Sequence, residues 1–283
     1  MSILRLLRPH QWTKNLLVFL PIVAAHNLNN TAGLWRTALG FAALCLCASA
    51  GYVFNDLLDL DADRSHPWKK ERPLAAGQLG AGLAKGLIPL LAAGGLLCAA
   101  AVGVEFLCLA AIYLVAVAAY SLWMKRVAIV DVMTLAGLYT LRVLAGGASA
   151  HVPVSPWLTA FSVFLFLSIA MAKRCAELRN ASSARVRSYT AADFDQLARF
   201  GTTSAYLATL VLALYIQGAE TGNLYSHPLR LWALCPLSIF WTSRIWLLAS
   251  RGELHQDPVL FALRDPASYL TAAAAALVLL LSS

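Results

Sequence analysis

Asn55, Asp56, Asp59 and Asp63 lie close together in a chain that otherwise avoids charge, and a run of bases, Arg64, Lys69, Lys70 and Arg72, follows them. If the apolar helix before them continues through its own end, Asn55, Asp59 and Asp63 recur every four residues and share one face, with Asp56 beside them. Like charges stacked this way repel, so the pattern does not serve helix stability. A divalent cation removes the conflict: carboxylate and amide oxygens at this spacing suit Mg2+, which keeps several waters and takes its remaining ligands from phosphates. The bases then supply donors for phosphate oxygens that the metal does not hold, and Pro67 and Pro73 stiffen the loop that presents them. The expected ligand is a metal diphosphate and not a free sugar, with Asp56, Asp59 and Asp63 at the reacting centre. The plainer alternative is a solvated acid cluster neutralised by Arg64, Lys69, Lys70 and Arg72.

A second ionisable group, Lys173, Arg174 and Glu177, closes a later apolar run. Lys173 and Glu177 are four apart and share a helix face, with Arg174 adjacent; the plainer alternative is a basic membrane anchor carrying an i,i+4 ion pair. Lys125 and Arg126 end a short loop, Asp131 opens the next apolar segment, and Arg142 lies about three turns into it among Leu, Val and Ala. A guanidinium at that depth must face a cavity or a partner, and phosphate binding from a cavity wall is the expected role. Tyr189 and Asp193 stand four apart in the second long loop, Asp193 as a cap or a donor contact. Near the N-terminus, Trp12 and Lys14 fit an interfacial belt and a snorkelling lysine, with contact to a lipid phosphate as the alternative for Lys14 and Asn15. The six histidines show no HxxH spacing, so no zinc site is expected.

The elements that must position these groups are transmembrane helices. Of 283 residues 60% are hydrophobic and 13% charged, and mean hydropathy is +0.68, a membrane composition. Windows near the roughly 20 residues that cross a hydrocarbon core suggest about nine spans: 14–28, 35–57, 84–102, 106–122, 127–147, 156–175, 200–217, 229–249 and 267–281. The fold expected is all-α and polytopic, a single transmembrane domain over residues 1–283. Two long charged loops, 59–84 and 173–199, follow the second and sixth spans and suggest two related halves. The first apolar run lacks a cleavage pattern, so it is expected to stay in the mature protein. The six cysteines fall in apolar segments without CxxC spacing and read as packing residues. With the N-terminus cytoplasmic in the cell membrane, nearly all Lys and Arg fall on one side. The net charge of +8 is then a membrane-face charge, which leaves no separate support for nucleic acid binding.

The stretch "NDLLDLDADR", followed by "RPLAAG", resembles the first Asp-rich motif, NDxxDxxxD, of the UbiA superfamily of intramembrane prenyltransferases. "RPHQWTKNLLVFLP", "YSLWMKR" and "AKRCAEL" extend the resemblance over almost the whole chain. It implies nine transmembrane helices around a central cavity. The second Asp-rich motif of ordinary members is replaced here by Lys173, Arg174 and Glu177, and "RPHQWTKN", "AKRCAEL" and "RGELHQDPVLFALRDPASY" resemble the decaprenyl-phosphate phosphoribosyltransferase branch. The resemblance therefore implies Mg2+-dependent transfer of phosphoribose from 5-phosphoribosyl diphosphate (PRPP) to a polyprenyl phosphate. In that reading Lys125 meets the diphosphate, Lys173 and Arg174 replace a second metal, and Glu177 accepts a ribose hydroxyl or binds the metal. Arg126, Asp131, Arg142 and Tyr189 complete the expected substrate contacts. The alternatives are polyprenyl transfer from an allylic diphosphate and, in another class, a secondary transporter. A homo-oligomer is compatible with the sequence.

Overall fold

Apolar runs too long for strands, punctuated by Gly, Asn and Pro, dictate helices. The computed structural model describes residues 2–65, 68–180, 185–254 and 257–282, and these are helical except for loops and one two-stranded ribbon. His66, Pro67 and His255 lie outside the described residues. The chain divides into two compact units, Met1–Lys125 with Leu141–Val154, and Arg126–Thr140 with Ser155–Ser283.

The first unit contains α1 (Ser2–Leu7), a 3-10 segment (Pro9–Phe19), α2 (Leu20–Ala24), α3 (Thr31–Leu58), α4 (Leu60–Arg64), α5 (Ala81–Val102), α6 (Val104–Leu122) and the later part of α7 (Val130–Ala150). Asn30 starts α3 by accepting the Gly33 N–H at 2.9 Å, which satisfies one of the donors a helix start leaves open. Apolar area alone does not pull helices together in lipid, so close approach depends on small residues. Gly95 of α5 is such a point: a Cβ there would stand 2.6 Å from the Cys47 sulfur and 3.0 Å from the Ala43 carbonyl of α3. Gly146 of α7 is another, where a Cβ would meet the Val18 carbonyl oxygen at 2.1 Å.

The second unit holds the start of α7, then α8 (Pro156–Asn180), the ribbon β1 (Arg185–Val186) and β2 (Tyr189–Thr190), α9 (Phe194–Gln217), α10 (Ala219–Leu224), α11 (Leu234–Arg251), α12 (Pro258–Ala262) and α13 (Pro266–Ser282). Val132, Ala172, Cys175, Leu197 and Ile245 form its core with Tyr189. Trp246 packs there too, and its indole N–H donates to the Ser168 hydroxyl at 2.9 Å, so burial leaves no orphaned donor.

Among the described residues seven helical stretches are long and apolar enough to cross a membrane: Thr31–Leu58, Ala81–Val102, Val104–Leu122, Val130–Ala150, Pro156–Asn180, Ala191–Gln217 and Pro228–Arg251. Pro266–Ser282 is a shorter apolar helix. Seven of the nine expected spans overlap these stretches and the last overlaps Pro266–Ser282; the expected first span is the one that differs. Residues 14–28 do not form one α-helix but belong to the 3-10 segment, α2 and a turn. Pro9 and Pro21, which lack N–H donors, stand at the starts of the two pieces. A 3-10 helix rises about 2.0 Å per residue against 1.5 Å in an α-helix, so this segment covers more depth per residue than a hydropathy window assumes.

Candidate active site

The acidic motif lies where α3 runs into α4. Asp59 interrupts the helix, yet its N–H donates to the Asn55 carbonyl at 2.9 Å and the Asp63 N–H to the Asp59 carbonyl at 2.8 Å. The four-residue spacing therefore survives the interruption. The side chains nevertheless separate into two groups. Asn55 Nδ2 donates to Asp59 Oδ2 at 3.1 Å, and the Lys125 ammonium donates to Asn55 Oδ1 at 3.0 Å and to the Asp59 carboxylate at 2.7 and 2.8 Å. Asp56 and Asp63, both buried, share Arg72 instead, whose Nη1 lies 3.1 Å from Asp56 Oδ1 and 2.6 Å from Asp63 Oδ2. Arg8 adds a second cation, its Nη2 reaching the two Asp56 oxygens at 2.6 and 2.8 Å.

In this structure Asn55 and Asp59 thus share Lys125, while Asp63, the third residue of the expected ligand set, pairs with Arg72. Among the described residues no three His, Cys, Asp or Glu side chains gather as a ready cation site. The donor chemistry still fits Mg2+. Lys125 Nζ, itself a cation, is held where an amide oxygen and both oxygens of a carboxylate converge, and these hard oxygens are what Mg2+ takes when phosphates and water supply the rest. Asn55 and Asp59 are the residues that would hold it.

The bases after the acids are not equivalent. Arg72 enters the cluster, whereas Arg64 pairs at 3.4 Å with exposed Asp61, and Lys69 and Lys70 lie exposed on a 3-10 turn. Arg126 is exposed as well. Deeper in the same unit, Arg142 donates from Nε to Asn15 Oδ1 and from Nη2 to the Tyr113 hydroxyl, each at 2.8 Å. Its guanidinium also lies 4.8 Å from the Tyr113 ring centre. Close approach at Gly146, one turn further on, brings α7 against the 3-10 segment that carries Asn15. Arg142 thus meets protein partners here, one of the two environments expected for a guanidinium at that depth. Asn15 is fully buried and donates to the Cys45 sulfur at 3.3 Å, which removes it from lipid contact, and Lys14 is buried too.

In the second unit Arg174 is wholly buried and grips wholly buried Asp131 with Nε and with Nη2, the latter at 3.0 Å from Oδ1. Its Nη1 pairs with Glu177. The ion pair at the end of α8 is therefore Arg174 with Glu177, three apart, and not the Lys173–Glu177 pair of the plainer alternative. Lys173 points to Asp257, its ammonium 2.8 Å from Oδ2. Tyr189 is buried; its hydroxyl accepts the Ile129 N–H at 2.9 Å, just before α7 begins. Ile129 has φ +67°, a left-handed conformation that a β-branched residue rarely adopts, and the Tyr189 bond holds it there, two residues ahead of Asp131. Burial pushes the Tyr189 phenol above its ordinary pKa, more than the Ile129 hydrogen bond lowers it. Asp193 is a cap: its Oδ2 accepts the Thr190 N–H at 2.8 Å and the Thr190 hydroxyl at 2.9 Å.

Three participants escaped the sequence reading. Arg8 sits in "RPHQ", where nothing local links it to Asp56, 48 residues away. Tyr113 is one aromatic in an apolar helix. Asp257 did carry a signal, because Asp-Pro marks a helix start and Asp257-Pro258 recurs as Asp265-Pro266.

A model of the UbiA prenyltransferase family matches residues 16–281. The chain is 37% identical over 276 residues to an uncharacterized protein, y4nM, of Sinorhizobium fredii, covering 94% of this chain and 53% of that one. It is 32% identical over 268 residues to Nodulation protein NoeC of Azorhizobium caulinodans, covering 92% and 86%. It is 35% identical over 220 residues to the decaprenyl-phosphate phosphoribosyltransferase of Corynebacterium glutamicum, covering 76% and 66%. The chain thus spans about half the length of the first relative and just under two thirds of the third. The fold is similar to that of a UbiA homologue from Archaeoglobus fulgidus bound to GPP and Mg2+, with TM-score 0.74, 20% identity and 99% of each chain covered.

Proposed function

This chain belongs to the UbiA prenyltransferase family, a family of membrane enzymes, and within it we propose that the protein transfers 5-phosphoribose from PRPP to a polyprenyl phosphate of decaprenyl type, releasing diphosphate. The observation that carries the reading is the end of α8. Where the resemblance calls for a second pair of carboxylates, the chain has Lys173 and Arg174, and its one acid there, Glu177, is tied to Arg174. Cations in place of a second metal suit a donor that brings a further phosphate. The similarity to the Corynebacterium enzyme points the same way.

Mg2+, when bound, supplies Lewis acidity that draws charge onto the departing diphosphate. Asn55 and Asp59 would hold it, and Lys125, the cation now lying on their oxygens, would donate to the diphosphate. Arg72 pairs with Asp56 and Asp63, and Arg8 with Asp56, which holds these two carboxyl groups in place beside them. Lys173 takes a phosphoryl oxygen of the donor, while Arg174, saturated by Asp131 and Glu177, holds α8 against the start of α7. The bond from ribose C1 to the diphosphate oxygen breaks, and an oxygen of the lipid phosphate forms the new bond to C1. That oxygen is already anionic, so no side chain has to remove a proton. The two units act as one domain, a reading supported by a single family model that spans both. The acidic loop faces the cytoplasm, as the one-sided distribution of Lys and Arg supports.

The test is incubation of the purified protein with labelled PRPP, Mg2+ and decaprenyl phosphate, read by lipid mass spectrometry. The expected product is the phosphoribosylated lipid, abolished by Asp59→Asn in protein that still folds. Turnover of an allylic diphosphate with no ribosylated lipid overturns the assignment in favour of prenyl transfer.

A further inference from the structure

The C-terminal part of the second unit contains the same device twice. Asp257 caps α12, accepting the Val259 N–H at 3.1 Å, with Pro258 at the first helical position. Asp265 stands likewise before Pro266 and caps α13, accepting the Ser268 N–H at 2.8 Å. Each carboxylate also receives a cation from a long helix of the same unit: Asp257 from Lys173 of α8, and Asp265 from Arg244 of α11.

The two clasps differ in how much hydrogen-bonding capacity they leave. Arg244 meets Asp265 through Nη1 and Nη2 at 2.7 and 2.8 Å, a fork-to-fork pair, and the Ser268 hydroxyl at 2.8 Å joins the Ser268 N–H as a fourth donor. Such a pair is a fastener. Lys173 instead presents an ammonium with three donors, and Asp257 Oδ2 takes one of them at 2.8 Å. The Lys173 side chain is 28% exposed and that of Asp257 is 8% exposed, so the anion is the more deeply buried partner and the lysine side chain keeps access to solvent. A flexible four-carbon stem has many rotamers, and a fixed anion at its ammonium end selects among them.

We propose that Asp257 is a positioning residue, which orients the Lys173 ammonium toward a phosphoryl oxygen of the donor and so makes the segment before α12 part of donor recognition. The inference rests on the assignment of Lys173 to a donor phosphate. It also makes a prediction opposite to simple electrostatics. Removing a negative charge beside an anion site should tighten anion binding if charge alone matters, and should weaken it if Asp257 acts by aiming Lys173.

Asp257→Asn separates the two duties, because Asn caps a helix as well as Asp does but does not fix an ammonium with a full charge. Steady-state kinetics are measured for Asp257→Asn, Lys173→Met and the double variant, with Asp265→Asn as the control for the other clasp, each with a thermal unfolding curve. The expected result is a donor KM raised about tenfold in Asp257→Asn, the scale of one charge-assisted hydrogen bond, with kcat and acceptor KM little changed. The double variant should be no worse than Lys173→Met, since a residue that works through another adds nothing once that one is gone. Asp265→Asn should lower the unfolding temperature and leave donor KM alone. An unchanged or lower donor KM in Asp257→Asn, a loss confined to kcat, or additive effects in the double variant each overturn the proposal. If Asp257→Asn does not fold, Asp257→Ser, which also caps, is read in the same way. The donor is whichever one the wild type turns over, so an allylic diphosphate substrate defeats the phosphoribosyl reading while the same KM comparison still decides the role of Asp257.

Discussion

Replacing Lys125 by Met removes a cation from the point where Asn55 and Asp59 converge, while the apolar stem keeps much of its packing. The Lys125 side chain is 8% exposed and that of Asp59 31%, so this ion pair is neither a surface pair nor a fully buried one. Breaking a buried pair costs about 3–5 kcal/mol and an exposed one under about 1 kcal/mol, so the partial exposure of Asp59 puts the loss near 2 kcal/mol in the absence of divalent cation. Mg2+ should then recover what was lost. A site filled at one hundred times its dissociation constant contributes about 2.7 kcal/mol, comparable to the deficit. In the wild type Mg2+ must first displace the ammonium, and its stabilising effect is correspondingly smaller. The assay is thermal unfolding in detergent across a Mg2+ titration with no diphosphate present, together with direct Mn2+ binding by electron paramagnetic resonance. The expected result is a variant less stable than wild type in chelator, matching it at millimolar Mg2+, and binding Mn2+ more tightly. A variant that is destabilised but gains no more from Mg2+ than the wild type does would refute the reasoning, because Asn55 and Asp59 would then not be cation ligands.

Three further outcomes follow from the packing. Arg174→Met leaves buried Asp131 without its guanidinium and should cost about 3–5 kcal/mol, measured by unfolding, with Asp131→Asn in the same chain recovering part of the loss. Gly146→Ala forces a Cβ to within 2.1 Å of the Val18 carbonyl unless α7 or the 3-10 segment shifts, and should destabilise by about 1–3 kcal/mol, again read by unfolding. Burial by itself would raise the Asp265 pKa, but hydrogen bonds from Arg244 and Ser268 together with the Arg244 charge take it below its ordinary value. Its contribution to stability is thus complete above the unfolded carboxylate value of about 3.9 and disappears as pH falls through the lowered folded value. Asp265→Asn should flatten the acid limb of the stability curve in that window while leaving neutral-to-alkaline behaviour parallel to wild type.

Much of the fold was legible because membrane helices announce themselves by length and composition. Each of the seven long spans contains or overlaps a predicted one, and the four-residue spacing of Asn55, Asp59 and Asp63 held in the backbone. The first expected span differs in form because hydropathy counts apolar residues and not rise per residue, and two prolines with a 3-10 segment change that rise.

What the chain alone determined is therefore its helices and the kinds of group available for chemistry, since both depend on residues within a turn or two. Which cation meets which anion was decided only by tertiary structure. Lys125 reaches Asp59 across 66 residues, Arg8 reaches Asp56 across 48, and Lys173 passes over Glu177, four residues away, for Asp257, 84 residues on. Helical periodicity reports which side chains share a face. It says nothing of which distant backbone approaches that face, and an ion pair a few ångströms long in a largely buried site goes to whichever partner the packing brings within reach.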